Sequence, residues 1–177
     1  MSNVVSRPPV YDQEAVQPMR DELIAVGFEE LLTPEQVDKS IDVNDDKTVL
    51  VMINSVCGSA AESARPGVSL ALQHQTIPDK FYTGFAGQER DAVERIRQKI
   101  KGYPPSSPSI ALFKNGTLIY FMSRYEIKGI PHEQIANILI EVFDEYCSRT
   151  GPSINPGQYA KVEYAKTCGS KLPLFKG

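Results

Sequence analysis

The sequence predicts an α/β fold in which a mixed β-sheet is covered by helices on both faces. Runs with strand-like and helix-like patterns alternate along most of the chain, an order typical of parallel strands joined by right-handed helical crossovers. Toward the end of this alternation, two extended runs follow one another around Asn115 and Gly116. This pair indicates a β-hairpin, whose antiparallel strands make the sheet mixed.

The first half of the chain predicts two helices and two strands. Residues 18–26 have apolar side chains at helical spacing, and Gly27 follows where a helix commonly ends in the left-handed region. Residues 28–32 alternate apolar and acidic side chains, as a half-buried strand does. Residues 33–42 begin with an N-cap threonine and a proline, which predicts a second helix. The continuous apolar run of residues 49–53 predicts a central strand.

The second half predicts further helices and the remaining strands. A helix is expected over residues 58–75, and Pro66 inside it should introduce a kink because proline lacks an amide hydrogen. Residues 80–87 are a strand candidate, and residues 88–100 have one apolar stripe among charges, which predicts an amphipathic helix. The last predicted elements are hairpin strands over residues 109–113 and 117–122 and a terminal helix over residues 131–147.

The predicted elements form one domain over residues 1–147. Residues 148–177 are rich in Gly, Pro and Ser and show no sustained periodicity. We interpret them as an irregular C-terminal extension of the kind that is often mobile.

The composition is that of an ordinary globular protein, and it excludes several classes of partner. The chain has 177 residues, 41% of them hydrophobic, and a formal net charge of -3. Because it has no Lys/Arg-rich block, nucleic acid is not an expected partner. No apolar run is long enough to cross a membrane, and the amino terminus lacks the pattern of a secretory signal. We therefore expect a cytoplasmic protein with no membrane partner.

The cysteines do not form the dense set of a disulfide-stapled domain. Cys57, Cys147 and Cys168 are odd in number and far apart, so a structural disulfide network is not expected. The chain has only two histidines, and neither makes a close Cys/His pair of the kind found in a closed zinc site. We therefore expect no bound metal and no resident cofactor.

Cys57 lies where the predicted central strand stops and a helix rich in small residues begins. At such a junction the sulfur faces the unpaired amides of the first helical turn and the positive end of the helix dipole. This environment favours the thiolate, which is the nucleophile in thiol–disulfide exchange. The alternative is that Cys57 is only a small buried apolar residue. We favour the reactive thiol.

The residue two positions after Cys57 determines how a mixed disulfide on Cys57 can be released. A second cysteine there would release a mixed disulfide, but the chain has Ser59, whose hydroxyl donates a hydrogen bond and forms no disulfide. Cys57 therefore has no local resolving thiol. Cys168 lies in TCGS, an echo of the VCGS of residues 56–59. The echo is either chance or the mark of a distant resolving thiol.

Ser107 and Pro108 immediately precede the first predicted hairpin strand. The bond between them is a candidate cis peptide, the alternative being an ordinary trans proline that opens an edge strand. A cis bond would turn the backbone of Ser107 toward the Cys57 sulfur, where it can pair with a bound thiol or peptide. We predict the cis bond, with Gly58, Ser107 and Pro108 as substrate-binding residues.

Three segments carry a resemblance to a known family. NSVCGSAAESARPGV around Cys57 and RYEIKG after the hairpin resemble the bacilliredoxins, and PSIALFKNG with the elements after it is similar to the second half of thioredoxin folds. The resemblance covers residues 10–147. It implies a thioredoxin-like three-layer α/β/α fold, a mixed sheet with a C-terminal β-hairpin and a terminal helix. The family motif is Cys-Gly-Cys, and its second cysteine falls on Ser59.

The resemblance implies thiol–disulfide exchange, either removal of bacillithiol from protein cysteines or disulfide isomerase-like activity. Cys57 matches the attacking cysteine, and Cys57 and Ser59 are the candidate catalytic residues. Without a second cysteine, two cycles remain: a monothiol cycle resolved by an external low-molecular-weight thiol such as bacillithiol, or isomerisation without net redox change. The implied partners are mixed-disulfide client proteins and that thiol, and the protein is expected to be a monomer or homodimer.

Two other functions stay open at this point. The loss of the second cysteine is compatible with a binding module that holds a small thiol or a partner protein without turnover. A single motif cysteine is also similar to the CGFS site of monothiol glutaredoxins. That similarity implies an iron–sulfur cluster shared by two subunits and completed by a soluble thiol.

Overall fold

The computed structural model of the chain describes residues 6–165 and 169–177. In chain order its strands are β1 (Glu29–Glu30), β2 (Thr48–Asn54), β3 (Thr76–Ile77), β4 (Lys80–Phe85), β5 (Ser109–Lys114), β6 (Thr117–Met122) and β7 (Arg149–Thr150). The α-helices are α1 (Gln13–Ile24), α2 (Pro34–Ile41), α3 (Arg65–Ala71), α4 (Arg90–Lys99), α5 (Arg124–Ile127), α6 (His132–Tyr146) and α7 (Pro156–Tyr159). A π-helical turn (Ala60–Ala64) precedes α3, and a short 3₁₀ turn (Gly169–Lys171) follows α7.

Five strands form one mixed sheet in the order β1-β4-β2-β5-β6. Strands β1, β4 and β2 run parallel, whereas β5 is antiparallel to both β2 and β6. The predicted central strand is confirmed, because β2 has a partner on each side and every one of its residues is buried. The α/β/α fold with a mixed sheet and a closing hairpin is thioredoxin-like.

Two apolar clusters cover the faces of the sheet. Side chains alternate between the faces of a strand, and Leu50 and Met52 of β2 accordingly join one cluster while Val49, Val51 and Ile53 join the other. The first cluster includes residues of α3 and α6, and the second includes residues of α2 and α4. The central strand is therefore held from both faces.

Helix α1 begins at Gln13, so the predicted start at residue 18 is wrong. Asp12 supplies the cap, since its carboxylate accepts a hydrogen bond from the Ala15 amide at 3.0 Å. Pro18 lies inside the helix, where the missing amide costs one hydrogen bond but does not prevent the capped and buried helix from forming. Gly27 has a φ of 111°, which confirms the left-handed position after the helix.

Two local motifs are confirmed. Thr33 caps α2, because its hydroxyl accepts a hydrogen bond from the Gln36 amide at 3.2 Å. In the hairpin, Asn115 and Gly116 have φ values of 52° and 74°. Two consecutive positive φ angles are typical of the tight turn that matches strand twist.

The kink predicted at Pro66 takes the form of a π-helical turn just before it. The Arg65 amide donates to the carbonyl of Ala60, five residues back, and Pro66 then lies in the first turn of α3. A π-turn is a common way to absorb an irregular residue in a helix. The helix ends at Ala71, earlier than the predicted residue 75.

The extension after residue 147 contains short elements that return to the domain. Strand β7 pairs antiparallel with β3, and Leu174 makes an antiparallel bridge with Tyr11 near the amino terminus. The boundary at residue 147 stays a prediction. Within the described part of the chain, no helix has the length and apolar character needed to cross a membrane.

Gly67→Ala is expected to destabilise the protein by about 1–3 kcal/mol through overpacking. An ideal Cβ at residue 67 would lie 2.7 Å from Ile135 Cγ2 and 3.1 Å from the His132 carbonyl oxygen, where α3 packs on α6. Denaturant unfolding measures the loss. The control is Gly157→Ala, whose Cβ meets only Asn155 Oδ1 at 3.4 Å; equal losses in the two variants would contradict the packing argument.

Candidate functional site

Cys57 lies at the junction between the central strand and a helix. Strand β2 ends at Asn54, and helical residues run from 58 to 71. The Cys57 carbonyl accepts hydrogen bonds from the amides of Ala60 and Ala61 at 3.1 and 3.2 Å, so Cys57 occupies the cap position of this helix. Its side chain is half-buried. The predicted placement of Cys57 at a helix start is confirmed.

All four carbonyl oxygens of residues 54–57 accept hydrogen bonds, and the donors come from different parts of the chain. In order, the donors are the amide of Ala86 (2.9 Å), the guanidinium of Arg65 (2.8 Å), the amide of Gly169 (2.9 Å) and the amides of Ala60 and Ala61. The loop that carries Cys57, residues 54–57, is called the thiol loop below. Its shape is fixed by contacts with the residue after β4, with α3, with the C-terminal extension and with its own helix.

Gly58 and Ser59 follow Cys57 and are also half-buried. An ideal Cβ on Gly58 would meet nothing within 4 Å, so the space beside this residue is open. Ser59 is helical, with φ -63° and ψ -33°, and its side chain makes no capping hydrogen bond in the described structure.

Ser107 and Pro108 are joined by a cis peptide bond, as the sequence predicts. Ser109, the first residue of β5, pairs with Ile53 near the end of antiparallel β2. Residues 107 and 108 therefore lie at the same end of the sheet as the thiol loop. Ser107 is half-buried and Pro108 is buried.

A buried ion pair that the sequence analysis did not find holds the thiol loop. Arg65 Nε and Glu22 Oε2 are 2.8 Å apart, and both side chains are 0% exposed. The Arg65 guanidinium also donates to Asn54 Oδ1 at 3.0 Å and to the carbonyl of Ser55. Burial raises the pKa of Glu22, and Arg65 opposes that shift. The pair spans 43 residues of sequence, a separation that no local pattern reveals.

Cys147 lies away from the thiol loop, at the end of α6. Cys147 caps the carboxyl end of α6, and burial raises the pKa of its thiol to about 11. Neither Cys57 nor Cys147 forms a disulfide in the structure as described. The proposed resolving residue, Cys168, lies outside the described residues. No group of three or more metal-ligating side chains occurs within residues 6–165 and 169–177.

The sequence matches one family model and a set of curated relatives. The model of a family described as disulphide isomerase matches residues 11–147. A bacilliredoxin of Salinibacter ruber is 46% identical over 145 residues, which cover 80% of this chain and 84% of that protein. A bacilliredoxin of Halalkalibacterium halodurans is 45% identical over 137 residues, covering 77% and 94%. Among solved structures, the thioredoxin of Malassezia sympodialis is 13% identical, with a TM-score of 0.44 over 82% of this chain and 96% of that chain.

The fold and the site define the class of protein. A mixed sheet between two layers of helices, with a half-buried cysteine between its central strand and a helix, is typical of the thiol redox proteins of thioredoxin-like fold. Within that class, the chain belongs to the bacilliredoxin family.

Arg65→Met is expected to lower the free energy of unfolding by about 3–5 kcal/mol, because it leaves the Glu22 carboxylate buried without a counter-charge. Urea unfolding measures the loss. The double variant Glu22→Leu/Arg65→Met removes both charges and should be more stable than Arg65→Met alone. If the double variant is the less stable of the two, the unpaired charge is not the cause.

Iodoacetamide is expected to label Cys57 well before Cys147 at pH 7. With a pKa of about 11, Cys147 holds on the order of one thiolate in ten thousand molecules at that pH. Its labelling should rise about tenfold per pH unit and level off near pH 11. Peptide mass spectrometry measures both rates, and Cys57→Ser is the control for site assignment. Equal labelling of the two cysteines at pH 7 would contradict this order.

Proposed function

We propose that the protein removes low-molecular-weight thiols from cysteines of client proteins, with Cys57 as its single nucleophile. The observation that carries the proposal is the half-buried Cys57 at the start of a helix, next to the carboxyl end of the central strand. A helix start favours negative charge on sulfur. The names of the bacilliredoxin relatives support bacillithiol as the thiol.

The cycle has two exchange steps. The Cys57 thiolate attacks the small-thiol sulfur of the client's mixed disulfide, the client cysteine leaves as a thiolate, and Cys57 carries the adduct. A second small thiol, as its thiolate, then attacks the adduct. Cys57 is released, and the two small thiols leave as a disulfide. In the net reaction the client cysteine is reduced and the second small thiol is oxidised, because the first was already part of a disulfide; no metal or resident cofactor takes part.

The surroundings of Cys57 support this chemistry. The open space beside Gly58 gives a mixed disulfide room to approach the sulfur. The backbone of Ser107, before Pro108 at the same end of the sheet, is our candidate for pairing with the incoming client. The Ser59 hydroxyl, which makes no capping bond in the described structure, is free to donate to the sulfur that leaves.

Ser59 excludes release by a neighbouring cysteine, so the adduct waits for an external thiol. Isomerisation of client disulfides needs no resolving thiol and uses the same attack by Cys57. The role of Cys168 as an internal resolving thiol stays a prediction from the sequence.

Turnover of a bacillithiolated client with excess reduced bacillithiol tests the proposal. The protein is expected to release the client thiol and Cys57→Ser to reduce the rate to background, because no other described thiol lies at a helix start. Cys147→Ser is the matched control and should keep the rate. Stable adduct on Cys57 without turnover would show a binding module instead.

Intact mass after exposure to a bacillithiol disulfide identifies the resolving step. We expect one adduct on Cys57 in the protein as it stands. In Ser59→Cys the neighbouring thiol should expel the adduct and leave an internal disulfide. The mass should then be about 2 Da below that of the reduced, unmodified variant. An internal bond between Cys57 and Cys168 in the unaltered protein would contradict resolution by an external thiol.

A further inference from the structure

The C-terminal extension contacts the thiol loop and the ion pair that holds it. Ala165 binds the pair with both of its peptide groups: its amide donates to Glu22 Oε2 at 3.2 Å, and its carbonyl accepts from Arg65 Nη2 at 3.4 Å. Glu22 and Arg65 therefore make hydrogen bonds in addition to the one that joins them, and the extension supplies two of these.

Gly169 makes the most direct contact with the thiol loop. Its amide donates to the carbonyl of Val56, the residue before Cys57, at 2.9 Å. An ideal Cβ on residue 169 would lie 2.8 Å from Val56 Cγ2, closer than real Cβ contacts allow. The backbone of the extension can approach the thiol loop this closely only because residue 169 has no side chain.

The residues after Gly169 fasten the extension to the amino-terminal segment. Leu172 packs with Val56 in a small apolar cluster that also contains side chains of α1. The carbonyl of Pro173 accepts from the Asp12 amide at 2.9 Å, and the amide of Phe175 donates to the Val10 carbonyl at 3.0 Å. The segment is therefore held on both sides of the contact with Val56.

We propose that this docked segment, residues 165 and 169–175, holds the thiol loop in the shape in which Cys57 reacts, with Gly169 as the positioning residue. The proposal rests on the function proposed for Cys57. Of the four carbonyls in the thiol loop, that of Val56 is bound by the extension. Without this bond the peptide between Val56 and Cys57 keeps only the hydrogen bond from the Cys57 amide to Ser55 Oγ at 3.3 Å, so the backbone that carries the sulfur is less firmly held.

Gly169→Ala in the full chain tests the proposal, with Gly157→Ala in the same extension as the control. The rate measured is that of mixed-disulfide formation at Cys57 with 2-hydroxyethyl disulfide, in which the Cys57 thiolate attacks one sulfur and 2-mercaptoethanol leaves as its thiolate. The loss of one hydrogen bond predicts a fall of about fivefold in Gly169→Ala. Gly157→Ala should keep the rate.

A second substitution separates positioning from general damage. In a Val56→Ala background the Cγ2 atom that would clash is gone, and the new Cβ at residue 169 meets Val56 Cβ and O only at 3.6 Å. Gly169→Ala should then dock normally and cost little in rate. A fivefold loss that persists in this background would overturn the proposal.

Hydrogen exchange of the amides of Ala60 and Ala61, which bind the Cys57 carbonyl, gives a readout that needs no thiol chemistry. It should accelerate in Gly169→Ala and not in Gly157→Ala. Unchanged exchange, or a rate at Cys57 that is unchanged or raised, would overturn the positioning role. If the unaltered protein forms no adduct at Cys57, the proposed function fails. The hydrogen-exchange rates of the two amides then decide by themselves whether the extension holds the loop.

Discussion

The site depends on one buried ion pair, Glu22 with Arg65. Removing two charged groups from water is costly. This cost is offset only when nearly all donors and acceptors of the two groups are hydrogen-bonded. Arg65 satisfies this demand by binding Glu22, the side chain of Asn54 and the carbonyl of Ser55. One guanidinium thereby joins α1, the end of β2 and α3 at a point two residues before Cys57.

The pair contributes shape more than stability. Apolar residues of similar volume would fill the same space at equal or lower free energy, but they would not donate to the carbonyl of Ser55. Glu22 Oε1 is buried without a hydrogen-bond partner among the described residues, so the arrangement is not optimised for stability. We infer that the charges serve to position the thiol loop: Arg65 fixes the side chain of Asn54 and the carbonyl of Ser55, and with them the backbone that leads to Cys57.

Local signals account for what the sequence predicted well. Asn115 and Gly116 favour their own turn, Thr33 caps its own helix, and the apolar run of β2 needs no knowledge of its partners. The thiol site follows from the same kind of signal, because a strand that ends and a helix that begins define the cap position of Cys57. The predicted start of α1 at residue 18 is wrong because apolar spacing marks only the buried part of a helix, whereas Asp12 supplies the cap further back.

The extension escaped prediction for a different reason. Its hydrogen bonds with the site are made by main-chain groups, the amide and carbonyl of Ala165 and the amide of Gly169, across separations of up to 143 residues. Every residue type except proline offers both groups, so they leave no periodic pattern in the sequence. The sequence shows only one sign of these contacts, the glycine at position 169, where a side chain would collide with Val56. A segment rich in Gly, Pro and Ser can therefore be well structured. Its backbone can be bound as specifically as a side chain when its hydrogen-bond partners are buried and fixed in place.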